Sequence, residues 1–263
     1  MEAEFKERFI QNWDRYFPGA DLPIGFYYSY TAEPKFIAEP PKGHRCIVGD
    51  LVKVRNGHTL CFNVHTIGCG GGRRYLGFES EQALNFEYFL SYGIPGKLEG
   101  ERYKKSPELV KENMKHQKPS KAPGDYIIFK RWDHMEDGDN PLVVIFFAPP
   151  DVLSGLFTLA NFDEPQPNGV IAPFCAGCAS IVDYPYKELE SSAPRAILGM
   201  FDVSARPCVP SNVLSFAVPW PKFVRMMDNM KESFLITKSW DKVRVRIKRD
   251  KGLKEADPLE TVK

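Results

Sequence analysis

Phe5, Phe9, Ile10, Trp13 and Phe17 recur at three- and four-residue intervals with charged positions between them. That spacing predicts an amphipathic helix over residues 2–17, closed by Pro18-Gly19. The aromatic run Leu22 to Tyr30 has strand character, and a polar, Pro-containing loop follows from Glu33 to Gly43. Apolar positions between Arg45 and Val54 predict a short helix stopped at Asn56-Gly57, although a strand over Val48 to Val54 fits the composition almost as well. Thr59 to Val64 reads as a strand that the triple glycine at 70–72 breaks, with an interrupted helix from Arg73 through Leu90.

The pattern changes between Ile94 and Asp125, where prolines, glycines and lysines dominate and one short helix, Pro107 to Lys115, sits inside an exposed insertion. Tyr126 to Trp132 is a strand, and Leu142 to Phe147, the most apolar run in the chain, is a buried central one. A helix over Val152 to Ala160 and a strand over Gly169 to Phe174 follow. Next come a helix after Cys178 with a break near Pro185, strands over Arg195 to Phe201 and Leu214 to Pro219, and a helix over Trp220 to Phe234. Lys242 to Ile247 alternates Val and Ile against Lys and Arg, the signature of an edge strand, and residues 249–263 read as a polar tail. Irregular alternation of strands and helices predicts a single α+β domain over residues 1–250, a mixed sheet with flanking helices, ahead of a C-terminal tail at 251–263.

Charge changes this picture little. Lys plus Arg number 35 against 34 Asp plus Glu, a net charge of +1, so no global field recruits nucleic acid or an anionic membrane. The lysines at 104, 105, 111, 115, 118 and 121 read as a solvated face, since no stacking aromatics accompany them. No apolar run approaches the ~20 residues a bilayer requires, and the start lacks the order of a signal peptide, so the expected location is cytoplasmic. There the six cysteines are reduced thiols. Composition leaves assembly into a homo-oligomer open.

Chemistry concentrates in two segments. Between Cys61 and Phe78 lie two thiols, His65, the glycines Gly70, Gly71 and Gly72, and the guanidinium groups of Arg73 and Arg74. About a hundred residues later, Cys175-Ala176-Gly177-Cys178 is a second thiol-bearing turn of small residues. His65, Cys69, Cys175 and Cys178 make up a formal four-ligand set for zinc or an iron–sulfur cluster. The glycines and the two arginines also suit a small anionic ligand, and Cys69 is the candidate nucleophile if the protein is an enzyme. Asp202, Ser204 and Arg206, after the Phe201 strand end, are second-rank ligand contacts. The plainer readings are packed core thiols, a tight glycine turn with solvated arginines, and surface histidines at 44, 58, 116 and 134. Elbow, zincin and kinase signatures are absent.

Several motifs occur together: Gly68-Cys69-Gly70-Gly71 before Leu76-Gly77-Phe78, Phe174-Cys175-Ala176-Gly177-Cys178, Pro194 to Gly199, Asp202 to Pro207, and Phe216-Ala217-Val218-Pro219. From about Leu22 to Phe234 the chain thereby resembles the prokaryotic "domain of unknown function 169" family. The resemblance implies that Cys69 and its glycines are a site and supplies no activity. The Lys-rich stretch between Phe89 and Asp125 departs from the family's commoner pattern.

Overall fold

Val143–Ala148 (β4) is buried along its whole length and occupies the middle of a seven-stranded sheet in this computed structural model, which describes residues 2–253. The other strands are β1 (Ile24–Ser29), β2 (Leu60–Phe62), β3 (Tyr126–Arg131), β5 (Val170–Ile171), β6 (Ala196–Gly199) and β7 (Leu214–Pro219), in the order β2-β3-β1-β4-β7-β6-β5. All neighbours run antiparallel except β5 with β6, so the sheet is mixed. Strand β4 carries no polar residue because both its faces are covered, one by each of two hydrophobic cores. Val143, Ile145 and Phe147 point into the first and Val144, Phe146 and Ala148 into the second, each large side chain contributing about 1.5–3 kcal/mol by burial.

The helices divide between those two faces. On the second lie α1 (Ala3–Tyr16), α6 (Pro150–Ala160), α8 (Trp220–Asn229) and α9 (Lys238–Asp250), with Phe9, Trp13, Phe146 and Phe223 in tilted or stacked ring contact. On the first face sit α2 (Ile47–Arg55), α3 (Gly70–Tyr75) and the segment Ala179–Asp183, a π-helical turn that runs straight into α7 (Tyr184–Lys187). The helices α4 (Phe86–Phe89) and α5 (Pro107–Lys115) belong to the lysine-rich region. The result is a single α+β domain, and no described helix is long and apolar enough to cross a membrane.

Three expectations fail here in whole or in part. The alternating stretch Lys242 to Ile247 is not a strand but the middle of α9. Thr237 caps that helix, its Oγ1 accepting from Trp240 N–H, and Trp240, Arg244 and Ile247, spaced by four and three, are the residues it buries. The triple glycine does not end an element either: it forms the first turn of α3, which stops at Tyr75, and the chain is irregular until α4. The strand expected over Gly169 to Phe174 shrinks to the two residues of β5, and the tail beyond residue 253 lies outside the described residues.

Candidate thiol site

Five of the six cysteines gather on the first face of the sheet, and glycines bring their segments together. Arg45 N–H donates to Gly68 O at 3.2 Å, laying residues 45 and 68 side by side. A Cβ on Gly68 would stand 2.8 Å from Arg45 O, so only glycine permits that approach. The next residues, Cys46 and Cys69, are the N-caps of α2 and α3. Cys69 Sγ accepts the N–H of Gly72 at 3.2 Å and also a backbone hydrogen bond from Ile47, the first residue of α2. Gly72 is small for the same reason: a Cβ there would lie 2.9 Å from Cys69 Sγ.

The Cys175-to-Cys178 turn meets these helix starts from the opposite side. Gly177 packs on Ala205, with no room for a Cβ (2.8 Å), and its N–H donates to Asp202 Oδ2 at 2.9 Å. Asp202 Oδ1 in turn accepts Ser204 N–H at 3.0 Å and its hydroxyl at 2.7 Å. Just before this loop Met200, buried and not glycine, holds φ at 68°, a strained conformation that turns the chain toward the thiols. Cys178 is buried at the head of the π-helical turn, and the groups that bear on it are Cys69, Cys46, Asp202 and Cys175. Cys208, beyond the loop, lies against α2, where a Cβ on Gly49 would stand 3.6 Å from its Sγ.

Burial governs the ionisation of this cluster. It pushes the Cys175 thiol up to about 12, with Asp202 and Asp183 adding to the rise, and raises Cys178 well above the ordinary value and Cys69 more modestly. Cys208 is raised to about 11 by burial and by Cys46. On their own these are neutral thiols at physiological pH.

The lysine-rich region closes over the site instead of standing clear of the domain. Gln117 Nε2 donates to Phe174 O at 2.9 Å and Gln117 Oε1 accepts from Tyr75 Oη at 3.4 Å, joining the two thiol segments. Ser120 N–H donates to Asp183 Oδ1 at 2.7 Å, and Lys104 Nζ stands 4.1 Å from the centroid of the exposed Phe174 ring.

Not every expected residue converges. His65 is exposed on the Asn63-to-Thr66 turn and is not among the groups around Cys178, and Cys61, on β2, is buried near Glu33 away from the other five. His44, His58, His116 and His134 are exposed. Arg73 is spent on Glu79 at 2.8 Å and on Ile67 O, Arg74 on Ser80 O, and Arg206 on the carbonyls of Pro210, Ser211 and Val213. Among the described residues no group of three or more His, Cys, Asp or Glu is already arranged to hold a metal ion. Cys46 and Cys208 were not legible as site members: neither lies in a motif, and only the close approach at Gly68 and the turn after Asp202 bring them in.

Over residues 20–229 the chain matches the model of the DUF169 family, described as "Uncharacterised ArCR", and it belongs to that family. No curated protein and no solved structure matches it.

Proposed function

We propose that this DUF169 family member binds a thiophilic metal centre, zinc or an iron–sulfur cluster, through Cys69, Cys175 and Cys178. The observation that carries the reading is the convergence of thiols on one face of the sheet, where Cys178 is buried in the first core with Cys46, Cys175 and Cys208 packed against that core and Cys69 capping the neighbouring helix α3. Thiols that burial holds in the neutral form, as at Cys69, Cys175 and Cys178, gain nothing from ionising beside one another, whereas a bound cation deprotonates coordinating thiols outright. The two amides directed at Cys69 Sγ are the partners a metal-bound thiolate accepts. Since no metal-holding group stands ready among the described residues, loading has to draw the thiols together. The reading also takes the protein to be cytoplasmic, where six free cysteines stay reduced.

The alternatives have less support. An anionic ligand would need Arg73 and Arg74, whose guanidinium groups already hold Glu79, Ile67 O and Ser80 O. A nucleophilic Cys69 would need a lowered thiol pKa, and burial raises it. Titration of the reduced, metal-free protein with cobalt(II) tests the proposal. Thiolate coordination gives an intense near-ultraviolet charge-transfer band and releases protons, and both signals should vanish in Cys178→Ser. A featureless titration of the wild type would reject it.

A further inference from the structure

Residues 102–121 carry seven basic side chains and two acidic ones, in a chain whose net charge is only +1. Arg102, Lys105, Lys118 and Lys121 are exposed, and among the described residues none of them has a carboxylate within ion-pair distance, whereas Lys111 and Lys115 pair with Glu87 and Glu112. Packing brings this charge to one place. Lys104 stands over the Phe174 ring, Gln117 holds the Phe174 carbonyl and Ser120 is anchored on Asp183, so both ends of the basic segment lie beside the Cys175-to-Cys178 turn.

That turn also gathers apolar surface. Phe174 is 59% exposed, Phe201 56% and Val203 69%. The hydrogen bond from Gly177 N–H to Asp202 Oδ2 at 2.9 Å ties the turn after Phe174 to the residue that lies between Phe201 and Val203. Three large apolar side chains left in water around one turn, with free cations along their edge, have the makeup of a recognition surface: an apolar centre and a charged rim.

We infer that this surface docks an acidic segment of a partner protein, its apolar side chains on Phe174, Phe201 and Val203 and its carboxylates toward Arg102, Lys105, Lys118 and Lys121. Two observations select this occupant. Asp202 sits between Phe201 and Val203, so seating those side chains in a bilayer would carry a carboxylate toward hydrocarbon. A nucleic acid would bring its phosphates to that same carboxylate, and one face of the Phe174 ring, where a base would stack, is taken by the Lys104 ammonium. A peptide instead sets its charge side chain by side chain, apolar beside Asp202 and acidic along the rim. Attraction between exposed charges weakens with salt, so binding should be salt-sensitive. The docked segment covers the Cys175 turn, and the inference does not depend on a metal being held there.

The test is selection of a random dodecapeptide library on the full-length, reduced protein, followed by fluorescence anisotropy with the enriched peptides. The expected result is enrichment of sequences rich in Asp and Glu with large apolar residues among them. Their binding should weaken with added salt, and about tenfold in Val203→Ser and in the double variant Lys118→Glu, Lys121→Glu. Phe157→Ser, which removes an exposed ring from α6 on the other side of the sheet, should leave it unchanged. Should the double variant fail to fold, Val203→Ser decides. No enrichment, enriched peptides without an acidic excess, or binding indifferent to Val203→Ser overturns the inference. So does binding to phosphatidylserine vesicles or to polyuridylate RNA that Val203→Ser abolishes, which would assign the surface to lipid or to nucleic acid. Cobalt binding that persists while peptide binding fails separates this inference from the metal proposal.

Discussion

Asp202 Oδ2 accepts the backbone N–H of Gly177 at 2.9 Å, so a single carboxylate fixes the turn between Cys175 and Cys178 to the loop that follows β6. The same charge lies close enough to Cys175 to help burial raise its thiol. Asp202→Asn keeps a carbonyl acceptor and removes the charge. Alkylation of Cys175 at mildly alkaline pH should therefore speed up in this variant, followed by quantitative mass spectrometry, while the fold is retained. An unchanged rate would mean that the Asp202 charge does not reach the thiol.

The raised thiols also set how stability varies with pH. In the unfolded chain Cys175 titrates near 9, and in the folded protein near 12, so between those values the native state binds the extra proton. The contribution is fully present below pH 9 and is lost as pH rises toward 12; Cys178, raised in the same direction, acts with it. Urea midpoints of the metal-free protein should fall across that alkaline window, and Cys175→Ser should flatten the decline.

Gly177→Ala places a methyl group 2.8 Å from the Ala205 Cβ. The turn must lift off the 202–205 loop, at a cost of about 1–3 kcal/mol for overpacking, and a lowered melting temperature together with weakened cobalt binding is the expected outcome. Gly71→Ala, where a Cβ meets nothing within 4 Å, is the control that should leave both unchanged.

Away from the thiols, Lys130 on β3 is 2% exposed, with Asp139 at 3.1 Å, Glu33 at 3.4 Å and Glu136 at 3.6 Å. Lys130→Ala withdraws the cation from that group of carboxylates and should cost about 3–5 kcal/mol. Chemical denaturation measures it, and a cost below about 1 kcal/mol, as for an exposed ion pair, would contradict it.

Local pattern made the fold largely legible. The Pro107 to Lys115 helix is found with those limits, because Ser106 caps it and Pro107 opens it, and the uninterrupted apolar run of β4 could only be a strand covered on both sides. Alternation misled at Val243, Val245 and Ile247: a period of two and a helical stripe share positions over so short a window, and Thr237 as a cap was the signal that separates them. At the site, Cys69, Cys175 and Cys178 announced themselves by spacing. Cys46 and Cys208 did not, since their place depends on Gly68 lying against Arg45 and on a turn 162 residues away, contacts that no local window contains. His65 shared a motif with Cys69 and yet faces solvent, because the Asn63 side chain folds that segment into its own turn.

The most direct measurement is elemental analysis, with an absorption spectrum, of full-length protein isolated without oxygen, wild type beside Cys178→Ser. The account predicts zinc or iron near one centre per chain in the wild type, with visible absorption if iron and sulfide are present, and its loss in the variant. Wild-type protein that is free of metal and stays so when loaded with zinc or with iron and sulfide would contradict it.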